Sequence, residues 1–96
     1  MLDGYGYPVY VDKPKAFLLF KELSNKGNYE AMYYLAKMYE NADTVEMDMN
    51  LAVKLLTDSA EHGNFDAMEE LIKIYSIDED YNNPKLVERY KELIQI

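Results

Sequence analysis

One histidine, a few serines and many carboxylates are the side chains of this sequence from which a catalytic triad or a carboxylate pair could be built. A serine nucleophile needs a histidine base with an acid to orient it. The one histidine, His62, precedes Gly63 at a predicted helix end, where a cation suits the helix dipole. The adjacent carboxylates Glu69 and Glu70 do not face each other on a helix. The spacing therefore predicts no catalytic residues, and we expect the protein not to be an enzyme.

Two short segments resemble ligand-binding loops but do not complete them. Residues 78–83 open like a calcium-binding EF-hand loop, yet Asn83 stands where that loop has glycine and Arg89 where it has its bidentate glutamate. Gly4-Tyr5-Gly6 begins like a phosphate-binding loop, but Val9 stands where its last glycine belongs. The chain also has no cysteine. The sequence therefore predicts no metal site and no cofactor.

Composition and charge limit the class of partner. With 96 residues, 49% of them apolar, the chain is predicted to be one small domain, 1–96. Ten Lys and Arg against eighteen Asp and Glu give a net charge of −8, which disfavours nucleic acids and anionic membranes. An acidic surface instead attracts basic partners over roughly 8–10 Å in physiological salt. The sequence has no signal-peptide pattern and no membrane-spanning apolar run, so we expect a cytoplasmic protein.

The strongest pattern in the sequence is an internal repeat with an offset of 36 residues. Gly27-Asn28 recurs as Gly63-Asn64, and Ala31-Met32 recurs as Ala67-Met68. The same offset relates four further pairs: Asp12 and Asp48, Ala16 and Ala52, Leu35 and Leu71, Tyr39 and Tyr75. This pattern predicts two copies of one structural unit, residues 13–47 and 48–82, followed by a half-unit at 83–96.

Each unit is predicted to be a pair of α-helices. In the first helix, apolar and small residues at spacings of three and four share one face: Ala16, Phe17, Leu19, Phe20, Leu23 and Ser24. Asp12 and Asn28 are placed to cap helices, and Gly27 lies where a left-handed residue ends one. The predicted helices are 13–26, 28–40, 49–62, 64–76 and 84–95. The predicted structural residues are Gly27, Gly63, Ala16, Ala31, Ala52 and Ala67. One helix pair cannot bury its own apolar face, so the pairs must stack.

These residues resemble the Sel-one-like repeat, a relative of the tetratricopeptide repeat. In the first unit the matching residues are Val9, Asp12, Lys15-Ala16, Phe20, Leu23-Ser24, Gly27, Ala31, Leu35-Ala36 and Tyr39. In the second they are Val45, Asp48, Leu51-Ala52, Leu56, Ser59-Ala60, Gly63, Ala67, Leu71-Ile72 and Tyr75. The resemblance implies an all-α fold, an α/α superhelical solenoid of two helix pairs plus a C-terminal capping helix. The chain departs from the family pattern in connector 41–44, which lacks glycine, and at Ile72, which replaces a glycine.

The resemblance also implies a function, that of a non-catalytic adaptor whose partner is another protein. The predicted partner-binding residues are Leu18, Tyr29, Tyr33, Tyr34, Glu69 and Glu70. Two other hypotheses stay open. One is a small acidic inhibitor, resembling an immunity protein or antitoxin, that plugs a basic toxin or nuclease. The other is a ligand-binding or hydrolytic relative of the cysteine-rich repeat proteins.

The N-terminal segment, residues 1–12, resembles the connector that follows a preceding repeat. Either another repeat lies upstream of it, or its tyrosines, Tyr5, Tyr7 and Tyr10, fold back over Leu18 and Tyr34. The oligomeric state is not predicted.

Overall fold

The computed structural model describes residues 12–94, which fold into five α-helices and one 3₁₀ turn, with no β-strand among them. In chain order these elements are α1 (Lys13–Asn25), α2 (Tyr29–Glu40), α3 (Met49–Glu61), α4 (Phe65–Ile77), the 3₁₀ turn (Glu79–Tyr81) and α5 (Pro84–Ile94). The predicted all-α fold is confirmed, and the helix ends lie within about a residue of those expected from caps and glycines. The expectations for Tyr5, Tyr7 and Tyr10 fall outside the described residues.

Side-chain caps explain where each helix begins. One Asp or Asn side chain precedes every helix and accepts a hydrogen bond from the backbone N–H three residues later, at 3.0–3.4 Å. The capping residues are Asp12, Asn28, Asp48, Asn64 and Asn83. Such a bond satisfies one of the N–H groups that a helix leaves unpaired at its start, which contributes about 1 kcal/mol. The helices in both copies of the repeat therefore begin with the same kind of side-chain cap.

The turn within each helix pair depends on a glycine. Gly27 has φ +89° and Gly63 has φ +91°, a left-handed conformation that costs glycine little. Each glycine N–H donates to a carbonyl three residues earlier, at 3.0 Å for Gly27 and 2.9 Å for Gly63. A Cβ atom added at either position would meet no other atom within 4 Å. Glycine is thus needed here for its backbone conformation and not because space is short.

The connector between α2 and α3 adopts left-handed geometry without glycine. Ala42 has φ +53° and Thr44 has φ +76°, although a left-handed conformation costs an L-residue about 1–2 kcal/mol. The neighbouring contacts hold this shape: the Asp43 N–H donates to the carbonyl of Met38 at 2.9 Å, and the Asp43 carboxylate pairs with Lys13 at 3.2 Å. Ala42 and Thr44 are therefore strained because the connector lacks the glycines that would adopt this conformation at little cost.

Two substitutions should therefore change stability in opposite directions. Gly63→Val should lower the free energy of unfolding by more than about 1 kcal/mol, because a β-branched residue resists φ +91°. Thr44→Gly should raise it by about 0.5–1 kcal/mol, since relief of strain outweighs the extra entropy of the unfolded chain. Urea unfolding of both variants measures the two effects. If Thr44→Gly lowers stability as much as Gly63→Val does, then Thr44 does not adopt a strained left-handed conformation.

Each helix packs mainly against its neighbours in the chain, so α2, α3 and α4 form the centre of the domain. The most deeply buried apolar residues come from these three helices: Ala36, Ala52, Leu56, Ala67 and Leu71. Three of the four predicted structural alanines, Ala31, Ala52 and Ala67, are buried, and Ala16 is half-buried. Small side chains at these points allow close contact between helices.

The first helix is less buried than its pattern predicted. Phe17 and Phe20 are half-buried, and Phe17 meets Tyr39 edge to face at 5.8 Å. Leu19, predicted on the buried face, is 52% exposed, and Leu18 is 63% exposed. Since α1 packs on α2 among the described residues, its outer leucines have no helix to pack against there.

Candidate binding cleft

A half-open cleft lies where the start of α2 meets the start of α4, with a volume of about 440 Å³. Its lining residues are Tyr29, Glu30, Tyr33, Tyr34, Gly63, Asn64, Phe65 and Asp66. The repeat explains which residue types line the cleft, because Phe65 and Asp66 lie 36 residues after Tyr29 and Glu30. The cleft therefore joins the same pair of positions, an aromatic residue followed by an acid, from both units.

Four of the eight residues that line the cleft are aromatic: Tyr29, Tyr33, Tyr34 and Phe65. Phe65 is 56% exposed and Tyr34 is 51% exposed. Tyr34 stacks on Phe20 with 5.4 Å between ring centroids and meets Tyr33 edge to face at 5.3 Å. These contacts hold the rings of Tyr33 and Tyr34 in place while about half of the Tyr34 side chain stays in water. Tyrosines held this way are frequent anchors of protein interfaces.

The walls of the cleft are tied together through Ser59, which is fully buried. The Ser59 hydroxyl donates to the carbonyl of Tyr29 at 2.6 Å and accepts from the Asn64 side-chain amide at 3.0 Å. One hydroxyl thus links the first residue of α2, the last turns of α3 and the cap of α4. This network fixes the separation of the two aromatic–acid pairs, because buried polar networks that are fully satisfied are rigid.

At the rim of the cleft, the Tyr29 ring stacks on His62 with 6.1 Å between centroids. The His62 Nδ1–H donates to the carbonyl of Asp58 at 2.7 Å. This contact agrees with the expected role of His62 at the end of a helix, where a cation or a donor satisfies a terminal carbonyl.

Two carboxyl groups and a lysine form a second polar cluster, where α2 faces α4. The Lys37 Nζ lies 3.2 Å from Glu70 Oε1 and 3.9 Å from Glu40 Oε1. Glu70 is only 8% exposed, and the Oε1 atoms of Glu40 and Glu70 are both closed off from solvent. The two carboxyl groups share Lys37 and interact with each other, and because neighbouring carboxylates withdrawn from water repel each other, the pair holds a proton more readily than isolated carboxylates would.

The two carboxyl groups differ in their affinity for that proton. Burial raises the pKa of Glu40 to about 7, and the neighbouring Glu70 adds to the rise against the opposing effects of Lys37 and Lys73. Burial acts to raise the pKa of Glu70 as well, but the hydrogen bond from Glu40 and the ion pair with Lys37 outweigh it, so that pKa is lowered. Just below neutral pH the proton therefore resides mostly on Glu40, and Glu70 stays ionised.

Substitution of Glu40 by glutamine should reveal this proton through the pH dependence of stability. Because the pKa of Glu40 is raised from 4.5 to about 7 in the folded state, folding favours the protonated form. Wild-type stability should fall as pH rises from about 4.5 to 7, the window in which the unfolded state has lost a proton that the folded state keeps. A glutamine amide imitates the protonated carboxyl group at every pH, so Glu40→Gln should gain stability over the wild type between pH 5 and pH 8.

Urea unfolding at pH 5 and pH 8 measures this difference, with Glu69→Gln as the control, because Glu69 lies exposed on α4. The stability difference between the Glu69→Gln variant and the wild type should be the same at both pH values. An equally constant difference for Glu40→Gln would mean that Glu40 is ionised throughout.

The structure brings three of the predicted partner-binding residues, Tyr29, Tyr33 and Tyr34, into one cleft. Glu70 lies beneath the surface beside Lys37. Burial raises the pKa of Tyr33, and Glu70 adds to this rise against the opposing effect of Lys37. Leu18 and Glu69 are exposed but do not line the cleft.

Sequence reasoning missed Glu30, Phe65 and Asp66 as lining residues, although the repeat offset from Tyr29 points to the last two. It also missed the approach of Glu40 to Glu70, because it compared only neighbouring carboxylates. No simple spacing would have revealed that approach, since the two residues occupy different positions of the repeat unit.

The described residues thus define an all-helical domain with an aromatic, acid-edged cleft. None of the helices in residues 12–94 combines the length and apolar character that crossing a membrane requires. Within the same range, no three His, Asp or Glu side chains gather closely enough to hold a metal ion. Comparisons of the chain with protein-family models, with curated proteins and with solved structures found no match.

Proposed function

We propose that this protein is a non-catalytic interaction module, an adaptor that holds another protein in the cleft between α2 and α4. The observation that carries this proposal is the concentration of exposed aromatic surface at Tyr29, Tyr34 and Phe65, all of which line that cleft. Large aromatic side chains supply much of the binding energy at protein interfaces. An exposed cluster of them on a monomer marks a site of interaction.

The proposed architecture is the α/α solenoid of Sel-one-like repeats, two helix pairs closed by α5. Three features support it: helices that pack on their neighbours in the chain, matching caps and glycine turns in both units, and an elongated outline of 43 × 29 × 26 Å. Solenoids grow in one direction because each repeat contacts only the next. In this arrangement the cleft lies between equivalent positions of successive repeats.

A rigid cleft suits a protein that acts by holding its partner. Tyr33 and Tyr34 belong to the second turn of α2, and the network through Ser59 fixes the neighbouring wall. Because these side chains are ordered before binding, the partner bears most of the entropy cost of association.

The acidic inhibitor is a second candidate, favoured by Glu30 and Asp66 at the cleft and by the net charge of −8. An adaptor and an inhibitor would use the same cleft and would differ in the charge of the partner. Association that weakens steeply with salt favours the inhibitor, because screening removes attraction between exposed charges.

Tyr34→Glu should reduce capture of the partner from cells that produce this protein by at least about tenfold, the effect of losing one interface anchor. The matched control is Ile77→Glu, because Ile77 is also large, apolar and exposed but ends α4, roughly 18 Å along the helix from Phe65. Quantitative mass spectrometry of proteins retained by each variant gives the comparison, and thermal melts check that both variants are folded. Equal loss with both variants, or with neither, contradicts binding in the cleft.

A further inference from the structure

We propose that the cleft between α2 and α4 binds an arginine side chain on an extended segment of the partner protein. The proposal rests on the function proposed above and adds the chemistry of what is bound.

Charge is the first argument for an arginine. Glu30 and Asp66 line the cleft, and none of the eight lining residues is basic. Lys37, one helical turn after Tyr33 on α2, is already paired with Glu70 at 3.2 Å. The carboxylates at the cleft therefore have no cationic partner among its lining residues, and a cation from another molecule would supply one.

The aromatic rings are the second argument, and they favour arginine over lysine. A guanidinium group stacks on an aromatic face while its N–H groups reach carboxylates in the same plane. The exposed rings of Tyr34 and Phe65 supply such faces beside the two acids. A lysine ammonium group can use the rings but cannot form the planar, two-pronged contact with a carboxylate.

The helix ends exclude the opposite class of ligand, an anion. A helix N-terminus attracts anions through its unpaired N–H groups, and α4 begins at the cleft. However, Asn64 Oδ1 already accepts hydrogen bonds from the N–H groups of Asp66 at 3.0 Å and Ala67 at 3.4 Å. Asp66 also places a negative charge in the first turn of α4. A phosphate would meet carboxylate repulsion and occupied donors.

The size of the cleft fits a side chain with its flanking backbone. Its volume of about 440 Å³ lies in the lower part of the range, about 300–1,000 Å³, in which pockets enclose small ligands. A whole helix would need a longer groove than the eight residues of this cleft provide.

The test is an NMR titration of the full chain with three capped pentapeptides, in which a central arginine, citrulline or lysine is flanked by glycines. Citrulline has nearly the shape of arginine but lacks its charge. We expect backbone amide shifts centred on Tyr29, Tyr33 and Asp66, with the arginine peptide binding at least about fivefold more tightly than the citrulline peptide. The affinity of the lysine peptide should lie between those of the arginine and citrulline peptides.

A charge-neutralised variant, Glu30→Gln with Asp66→Asn, should weaken binding of the arginine peptide by about fivefold or more. The control, Glu79→Gln with Asp80→Asn, neutralises two exposed acids in the 3₁₀ turn and should leave binding unchanged. Equal binding of the arginine and citrulline peptides, shifts centred outside the cleft, or no shifts at millimolar peptide would each overturn the proposal.

The two proposals fail differently. If Tyr34→Glu abolishes capture of the natural partner while the arginine and citrulline peptides bind alike, the proposed protein-binding function is supported and the proposed recognition of arginine is contradicted. If Tyr34→Glu leaves capture unchanged, the cleft is not the interface for that partner, whatever the peptides do.

Discussion

Leu71→Ala is expected to lower the free energy of unfolding by about 3 kcal/mol, the largest effect of any single substitution considered for this protein. Leu71 has no exposed surface and lies in the core to which α2, α3, α4 and α5 all contribute. Truncation removes buried methyl groups and leaves a cavity, which together cost about 2–5 kcal/mol in well-packed cores. A domain of this size has a total stability of roughly 5–14 kcal/mol, so much of it would be lost.

Thermal unfolding followed by circular dichroism measures the effect, and the expected fall in Tm is roughly 10–20 °C. The matched control is Leu18→Ala, the same chemical change at a leucine that is 63% exposed. It should change stability by less than about 0.5 kcal/mol. If both variants melt alike, then α4 does not lie at the centre of the packing.

The second large effect is expected from Lys37→Met, which removes the cation beside Glu40 and Glu70. At pH 8 the free energy of unfolding should fall by about 2 kcal/mol, because two close carboxylates would remain without their nearest counter-charge. The loss is less than for a fully buried pair because the Lys37 side chain is 30% exposed. At pH 5 the loss should shrink, since the pKa of Glu40 is raised to about 7 and its protonated form can donate a hydrogen bond to Glu70.

Urea unfolding at the two pH values tests this expectation, with Lys54→Met as the control because Lys54 is exposed on α3. The double variant Lys37→Met with Glu40→Gln should recover much of the stability lost at pH 8. If Lys37→Met costs the same at both pH values and Glu40→Gln restores nothing, the three groups are not coupled.

The helices could be predicted from the sequence because their starts and ends depend on local chemistry. Asp12, Asn28 and Gly27 act on backbone atoms within a few residues of themselves, and their repeats 36 residues later do the same. Local signals of this kind need no knowledge of tertiary packing. The exposure of Leu19 was not predicted, since it depends on what lies outside α1 and not on the spacing within it.

The cleft could be predicted only in part. The tyrosines of α2 could be identified as binding candidates from their residue type. Phe65 and Asp66 could not, because they join the cleft only when packing places the start of α4 beside those tyrosines. The pairing of Glu40 with Glu70 depends on how two helices meet, and those residues hold different positions in the repeat. The left-handed backbone conformation of Thr44 could not be predicted either, since the sequence showed only that the connector lacks glycine.

The most direct test of the central claim, that the protein works by holding a partner in the cleft, is site-specific photo-crosslinking in the cells that produce it. A photoreactive phenylalanine analogue would replace Tyr34 in the cleft and, as the control, Leu93 on α5, because the two residues are equally exposed at 51%. We expect one dominant covalent adduct with another protein from position 34 and none from position 93. An adduct from position 93 alone, or the same adducts from both positions, would contradict binding in the cleft.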